Sequence, residues 1–407
     1  MAGVLKGSLV VGQSGGPTAV INASLCGVVQ EAMRHAEIGG IYGMIHGIEG
    51  LLDEELADLR SETAQTIEGL CSTPSAALGS CRKKLTESDY ERILRILQAH
   101  DVRYFIYIGG NDSADTTHRV WRSASDAGYE LRAVGVPKTV DNDLAMTDHS
   151  PGYGSVARFN AIATRDAGRD TEALHTFDHV KIMETMGRNA GWITASAAFA
   201  KEGPDDAPHL IYLPERPFDH ERFLDDVKRE YDKGRGVVVA VCEGLTDAEG
   251  TPIVASKHSV ATDSFGHKQL GGVGQYLVDL IQDNLKIKGR TDKPGTIQRM
   301  CMLAASPVDV AEARMVGETA VRVACEGVTD HMVTLVRECL MPYACGVGLA
   351  QLEAVANAEQ PVPDHFINAE GNFVTSAYLD YARPLLGGPL PAHVRLQLRR
   401  VEKLVEA

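Results

Sequence analysis

The chain has 407 residues, 44% hydrophobic and 23% charged, with a formal net charge of −15. That length exceeds what one hydrophobic core serves, so two or three domains are expected. The acidic balance argues against nucleic acid or an anionic membrane as the main partner. Eight scattered cysteines form no CxxC pair, no apolar run approaches a membrane span, and the N-terminus has no signal-like cleavage region. These features together point to a reducing, cytoplasmic setting.

Residues 8–12 (SLVVG) read as a buried strand, followed by the loop Gln13–Pro17 and a helix over about Thr18–Ala36. A strand at 103–108 (RYFIYI) ends in Gly109-Gly110 and feeds a helix from about Ser113 to Ala127. A third strand, 132–136 (RAVGV), runs into Pro137-Lys138. The middle of the chain repeats this alternation, with a helix at about Ser155–Arg165, a strand at 179–184, a helix at about Ala190–Ala200 and a strand at 236–242 (GVVVAVC). Past about residue 300 the pattern reads as helical, notably in 308–327 and 392–407. Strand, Gly-rich turn and helix in repetition is the signature of an α/β fold with a doubly wound parallel sheet. Two consecutive α/β units suggest two similar lobes. Ligands in such sheets lie beyond the C-terminal strand ends. Four polar segments, 13–18, 109–113, 137–143 and 184–188, each follow a predicted strand end and are expected to converge there.

Each segment has a chemical reading and a plainer one. GQSGGPTAVIN, Gly12–Asn22, places two glycines before a helix, where free amides and the helix dipole attract anions; a tight turn needs the same residues. In IGGNDSADT, Ile108–Thr116, Asn111 and Asp112 offer oxygens to Mg²⁺, directly or through water; either also suits a helix N-cap. In VPKTVDNDL, Val136–Leu144, an extended chain would send Thr139, Asp141 and Asp143 to one face. A carboxylate there, near Lys138, suits phosphoryl transfer to an alcohol: the acid takes the proton and the lysine offsets charge on the moving group. The plain alternative is a loop whose Asp residues cap turns. Arg188, behind Gly187, reads as a phosphate clamp or a surface ion pair. Arg82 leads the run Arg82-Lys83-Lys84, Glu243 follows the strand at 236–242 as an acceptor for sugar hydroxyls, and Lys288–Arg299 adds four cations.

In order over most of residues 8–300, these segments resemble the ATP/pyrophosphate 6-phosphofructokinase family: GGxxxxxN, LGSxR, GGNDS, PKTVDND, MGR, a Glu after the fifth strand and GTIQR. The resemblance implies two Rossmann-like three-layer lobes with mainly parallel sheets and the active site in the cleft between them. It implies a phosphoryl-donor lobe of 1–152 and about 298–350, a sugar-phosphate lobe of 153–297, and a C-terminal segment, 351–407, packing on both. Asp141 matches the family's base, with Thr139 and Asp143 beside it. Met186, Gly187, Arg188 and Glu243 match the sugar-phosphate site, and Arg290 and Arg299 its phosphate-binding arginines. Lys181 stands where the family often has an arginine reaching in from a neighbouring subunit, so a homodimer or homotetramer is implied. Gly15 and Arg82 match the donor side. Asn111 stands where most members carry the Asp associated with Mg²⁺, the implied cofactor. Asp112 and Lys138 are the pair usual in pyrophosphate users, and a carboxylate at Asp112 would repel ATP's α-phosphate. The implied reaction is reversible phosphorylation of fructose 6-phosphate at its 1-hydroxyl by pyrophosphate. The alternatives are ATP as donor, sedoheptulose 7-phosphate as acceptor, and a catalytically silent sugar-phosphate-binding subunit.

Overall fold

The computed structural model describes residues 5–254, 272–356, 358–402 and 404. Its strands are β1 (Gly7–Gln13), β2 (Ile38–Met44), β3 (Leu56–Asp58), β4 (Val102–Gly109), β5 (Arg132–Pro137), β6 (Val180–Thr185), β7 (Leu210–Tyr212), β8 (Val237–Cys242), β9 (Gly289–Asp292), β10 (His331–Leu340) and β11 (Tyr343–Gln351). They form a seven-stranded sheet in the order β11-β10-β5-β4-β1-β2-β3 and a four-stranded sheet in the order β7-β8-β6-β9. The second sheet is parallel throughout. The first is parallel from β2 to β10 and antiparallel only at its two edges, β2 with β3 and β10 with β11. The apolar runs that marked β4, β5 and β8 are those of strands covered on both faces, and all six residues of β8 are buried.

The helix expected from Thr18 begins at Ile21, because Thr18 turns its side chain back on the chain. Its Oγ1 accepts from the backbone of Val20 and Ile21 at 3.2 and 2.9 Å, giving the free amides a partner before the helix starts. The helix expected at Ser155–Arg165 runs from Tyr153 to Leu174. The one expected at Ala190–Ala200 is a single α-turn, Trp192–Ala195, followed by a 3₁₀ stretch, Ser196–Ala200.

The helical reading past residue 300 holds for Pro307–Cys325 and then fails twice. Residues 331–351 form the β10–β11 hairpin, which carries the first sheet beyond β5. Residues 392–402 and 404 carry no helix. Instead the chain is strapped along Tyr153–Leu174: Arg158 donates to the carbonyls of Leu386, Gly388 and Pro389 at 3.0–3.1 Å, and Arg395 pairs with Glu172 and Asp206.

A buried cluster joins the helix Tyr153–Leu174 to the chain after residue 351. Trp192 lies within 5.5–6.0 Å of Tyr153, Phe366 and Tyr381, and its Nε1 donates to the Gln360 carbonyl at 2.9 Å. Among the described residues no helix is long and apolar enough to cross a membrane.

Candidate active site

The C-terminal ends of β1, β4, β5, β6 and β8 open onto one cavity of about 290 Å³. Thirteen of the fifteen residues singled out from the sequence line it: Gly15, Arg82, Asn111, Asp112, Lys138, Thr139, Asp141, Asp143, Met186, Gly187, Arg188, Glu243 and Arg299. Lys181 and Arg290 do not.

One wall is cationic. After β1 the chain turns through Gly15 at φ +75°, a conformation that favours glycine. Lys138, the first residue beyond β5, donates from Nζ to the Gly16 carbonyl at 2.9 Å. A Cβ at Gly16 would stand 2.7 Å from Arg299 Nη1, so only glycine admits the guanidinium this close. The loop carrying Arg82 is braced on the same turn: Gly15 N donates to Cys81 O at 3.2 Å, and Ser80 Oγ donates to Gly15 O at 2.7 Å. Lys138 is buried, and burial, with Arg299 and Arg82 nearby, pulls its ammonium down to about 8 against the pull of Asp141 and Asp143. Burial and Arg82 depress Arg299 as well. Three cations held together at such cost describe a pocket built for an anion.

At the end of β4, Gly110 occupies the N-cap of the helix Asn111–Asp126, and no side chain caps it. The plain reading of Asn111 and Asp112 as caps therefore fails. Asn111 Oδ1 is buried without a hydrogen-bond partner, and Asp112 stands exposed in the first turn, both on the cavity wall.

A second part of the lining is acidic. Thr139, Asp141 and Asp143 all face the cavity, though not by the simple alternation expected of an extended chain. Asn142 adopts φ +54° and turns the backbone between the two carboxylates, while Val140 points into the core. Thr139 Oγ1 accepts from Asp141 N at 3.1 Å. Asp141 Oδ1 is buried without a partner. Burial, then the Asp143 and Glu243 carboxylates, raise Asp141 to about 7, while Lys138 and Arg188 oppose the shift. Asp143 is raised by burial, and a hydrogen bond from Thr139 limits the rise.

The β6 turn supplies Met186, Gly187 and Arg188. Gly187 sits at φ +128°, its carbonyl accepts from Cys242 Sγ at 2.6 Å, and Met186 N donates to Gln298 Oε1 at 3.3 Å. Gln298 thus ties the MGR turn to the GTIQR segment that ends at Arg299. Glu243 follows β8 with its carboxyl raised, chiefly by burial.

Lys181 and Arg290 are register neighbours on β6 and β9. Lys181 pairs with Asp170 at 2.6 Å and Asp292 at 3.0 Å, lining a separate open groove, and Arg290 pairs with Asp178 at 2.5 Å. For Arg290, residue-by-residue matching along the strand gave no sign of that separation. Sequence reasoning also missed Glu359, which lines the main cavity and accepts from Asn189 Nδ2 at 3.1–3.2 Å. No motif surrounds it, so no local signal marked it.

The pattern of the Phosphofructokinase family matches residues 8–324, and the chain belongs to that family. It is 44% identical over 408 residues to the pyrophosphate-fructose 6-phosphate 1-phosphotransferase of Rhodospirillum rubrum, covering 99% of this chain and all of the relative. The enzyme of the same name from Xanthomonas campestris pv. campestris is 43% identical, over 95% of this chain and 93% of the relative. Among solved structures, the pyrophosphate-dependent phosphofructokinase from Nitrosospira multiformis superposes with a TM-score of 0.86 at 37% identity, over 98% of both chains.

Proposed function

We propose that this chain transfers a phosphoryl group reversibly from pyrophosphate to the 1-hydroxyl of fructose 6-phosphate, giving fructose 1,6-bisphosphate and phosphate. The observation that carries the reading is the presence of three cations, Arg82, Lys138 and Arg299, and the raised carboxyl of Asp141 in the lining of one cavity. Full-length similarity to enzymes of that name supports it.

Asp141 accepts the proton of the attacking hydroxyl, and a carboxyl near 7 is matched to that task at neutral pH. The new P–O bond forms as the bridging P–O bond of pyrophosphate breaks, and phosphate leaves. Lys138, with Arg82 and the Gly15–Gly16 backbone, neutralises charge on the transferred group and holds the leaving phosphate. Arg299, Arg188 and the Met186–Gly187 turn hold the sugar phosphate; Thr139, Asp143 and Glu243 accept from its hydroxyls. Asp112 guards the donor end against a nucleotide's α-phosphate. Mg²⁺ suits the hard oxygen of Asn111, whose orphaned Oδ1 faces the cavity, and when bound it would offset charge on the phosphates.

The lobes divide as 1–152 with about 298–350, 153–297, and the segment 351–407; β10 and β11 completing the first sheet support this division. Lys181 and Arg290 serve a neighbouring subunit's cavity in a cytoplasmic homodimer or homotetramer, a reading supported by their position outside their own.

The test is a coupled assay with fructose 6-phosphate and Mg²⁺, comparing pyrophosphate with ATP. Turnover with pyrophosphate alone is expected, and Asp112→Gly with Lys138→Gly should cripple it while admitting ATP. Turnover with ATP alone overturns the donor assignment; inactivity with both, but activity on sedoheptulose 7-phosphate, overturns the acceptor.

A further inference from the structure

We infer that Tyr381, on a helix far beyond the span that defines the family, is a positioning residue that holds the two carboxylates of the acidic wall in their working orientation. The inference rests on the reading of Asp141 as the base.

The argument starts from Asn142, between Asp141 and Asp143. Its φ of +54° is left-handed, where few residues other than glycine and asparagine sit comfortably. Its side chain is 1% exposed, so the amide must find partners inside the protein. Oδ1 accepts from Ser150 N at 2.9 Å, which fixes the amide's orientation because a backbone N–H only donates. Nδ2 then points at Tyr381 and donates to its hydroxyl at 3.1 Å. That hydroxyl in turn donates to the Asp148 carbonyl at 2.8 Å. One phenol oxygen therefore joins the turn between the carboxylates to the loop that follows it.

Tyr381 is held from several sides. Its ring lies 5.5 Å from Trp192 and 5.4 Å from Phe366. The Arg337 guanidinium stands over it at 4.6 Å and donates to its carbonyl at 2.9 Å. Arg337 also grips the Asp148 carboxylate at 2.8 Å, and the same carboxylate meets His149 Nδ1 at 2.7 Å. The Asp148 carbonyl that receives the tyrosine proton is thus itself anchored. Helix Ser376–Ala382, which carries Tyr381, lies outside residues 8–324. The catalytic turn is shaped by a segment that carries no family motif.

Tyr381→Phe removes one oxygen and keeps the ring, so the packing around Trp192 survives. Asn142→Gly keeps the left-handed turn and removes the amide. Each is expected to lower kcat by about tenfold or more through displaced carboxylates, with KM for fructose 6-phosphate and for pyrophosphate within about twofold of wild type. The double variant is expected to lose less than the product of the two single losses, because both remove the Asn142–Tyr381 hydrogen bond. A kcat for Tyr381→Phe within about twofold of wild type, well below its melting midpoint, overturns the inference. So do losses that multiply in the double variant. Wild-type turnover tests the functional reading separately. Carboxyl ¹³C NMR of Asp141 reads the inference without turnover: its raised titration, set by burial with Asp143, Glu243, Lys138 and Arg188 around it, should move toward the ordinary carboxylate range in Tyr381→Phe. An unchanged titration overturns it.

Discussion

Asp141 and Lys138 are displaced in opposite directions by the same cavity. Burial penalises the charged form of each, so the carboxyl rises to about 7 and the ammonium falls to about 8, leaving both poised near neutrality. The proposed transfer needs Asp141 ionised and Lys138 protonated. kcat/KM of the free enzyme should therefore rise with pH through about 7 and fall above about 8, a narrow bell. Initial rates at subsaturating substrate across pH check it, and a profile that stays flat from about pH 6 to about pH 9 would remove both assignments. Asp141→Ser should abolish the acid limb and lower kcat by about 10²-fold or more while the sugar phosphate still binds. Near-normal turnover in that variant would leave the base elsewhere.

At the scale of elements, the turn after β6 shows how backbone geometry serves the site. Gly187 lies at φ +128°, and a Cβ there would come within 2.7 Å of Ala190 O and 3.1 Å of Cys242 Sγ. Gly187→Ala should destabilise the protein by about 1–3 kcal/mol and raise KM for the sugar phosphate, since Met186 and Arg188 move with the turn. Denaturant unfolding and steady-state kinetics measure the two effects, and a variant unchanged in both would deny the turn its role. This turn is legible in the sequence because MGR follows an apolar strand. So are β1, β4, β5 and β8, whose buried runs end in polar residues. Strands as short and polar as β9 (GRTD) leave too little pattern, and the broad helical reading past residue 300 runs over β10–β11 although Gly327, at φ +106°, marks the end of the helix before it. That Lys181 and Arg290 lie outside the main cavity is not a property of local sequence, for a strand match fixes a residue's place on the sheet and not which opening its side chain meets. Glu359 and Tyr381 reach the site only through tertiary packing, which no local spacing records.

At the scale of the molecule, a buried charge cluster ties distant parts of the chain together behind the acidic wall. His149 is 2% exposed, with Nδ1 at 2.7 Å from Asp148 and Nε2 at 2.7 Å from Glu312 of the helix Pro307–Cys325. Tyr343 of β11 donates to Glu312 at 2.6 Å, and Arg337 of β10 pairs with Asp148. Burial alone would lower the imidazole's pKa, but hydrogen bonds and charge from Asp148 and Glu312 outweigh it and raise His149 from 6.5 to about 9. A folded-state value above the unfolded one means that the stabilisation is fully present below about 6.5 and fades as pH rises through about 9. A shift of this size corresponds to about 3 kcal/mol. Asp148 runs the other way: its carboxyl is held below the usual range by His149 and Arg337 despite burial, so its contribution is present at neutral pH and lost only in acid. The melting midpoint should therefore fall between about pH 6.5 and 9.5 by several degrees more in the wild type than in His149→Gln, which starts lower and lacks the titrating group. Differential scanning calorimetry across that range makes the comparison. Parallel pH curves for the two proteins would mean that the imidazole is not charged in the folded state, and that the hairpin, the long helix and the catalytic loop are held together by neutral hydrogen bonds instead.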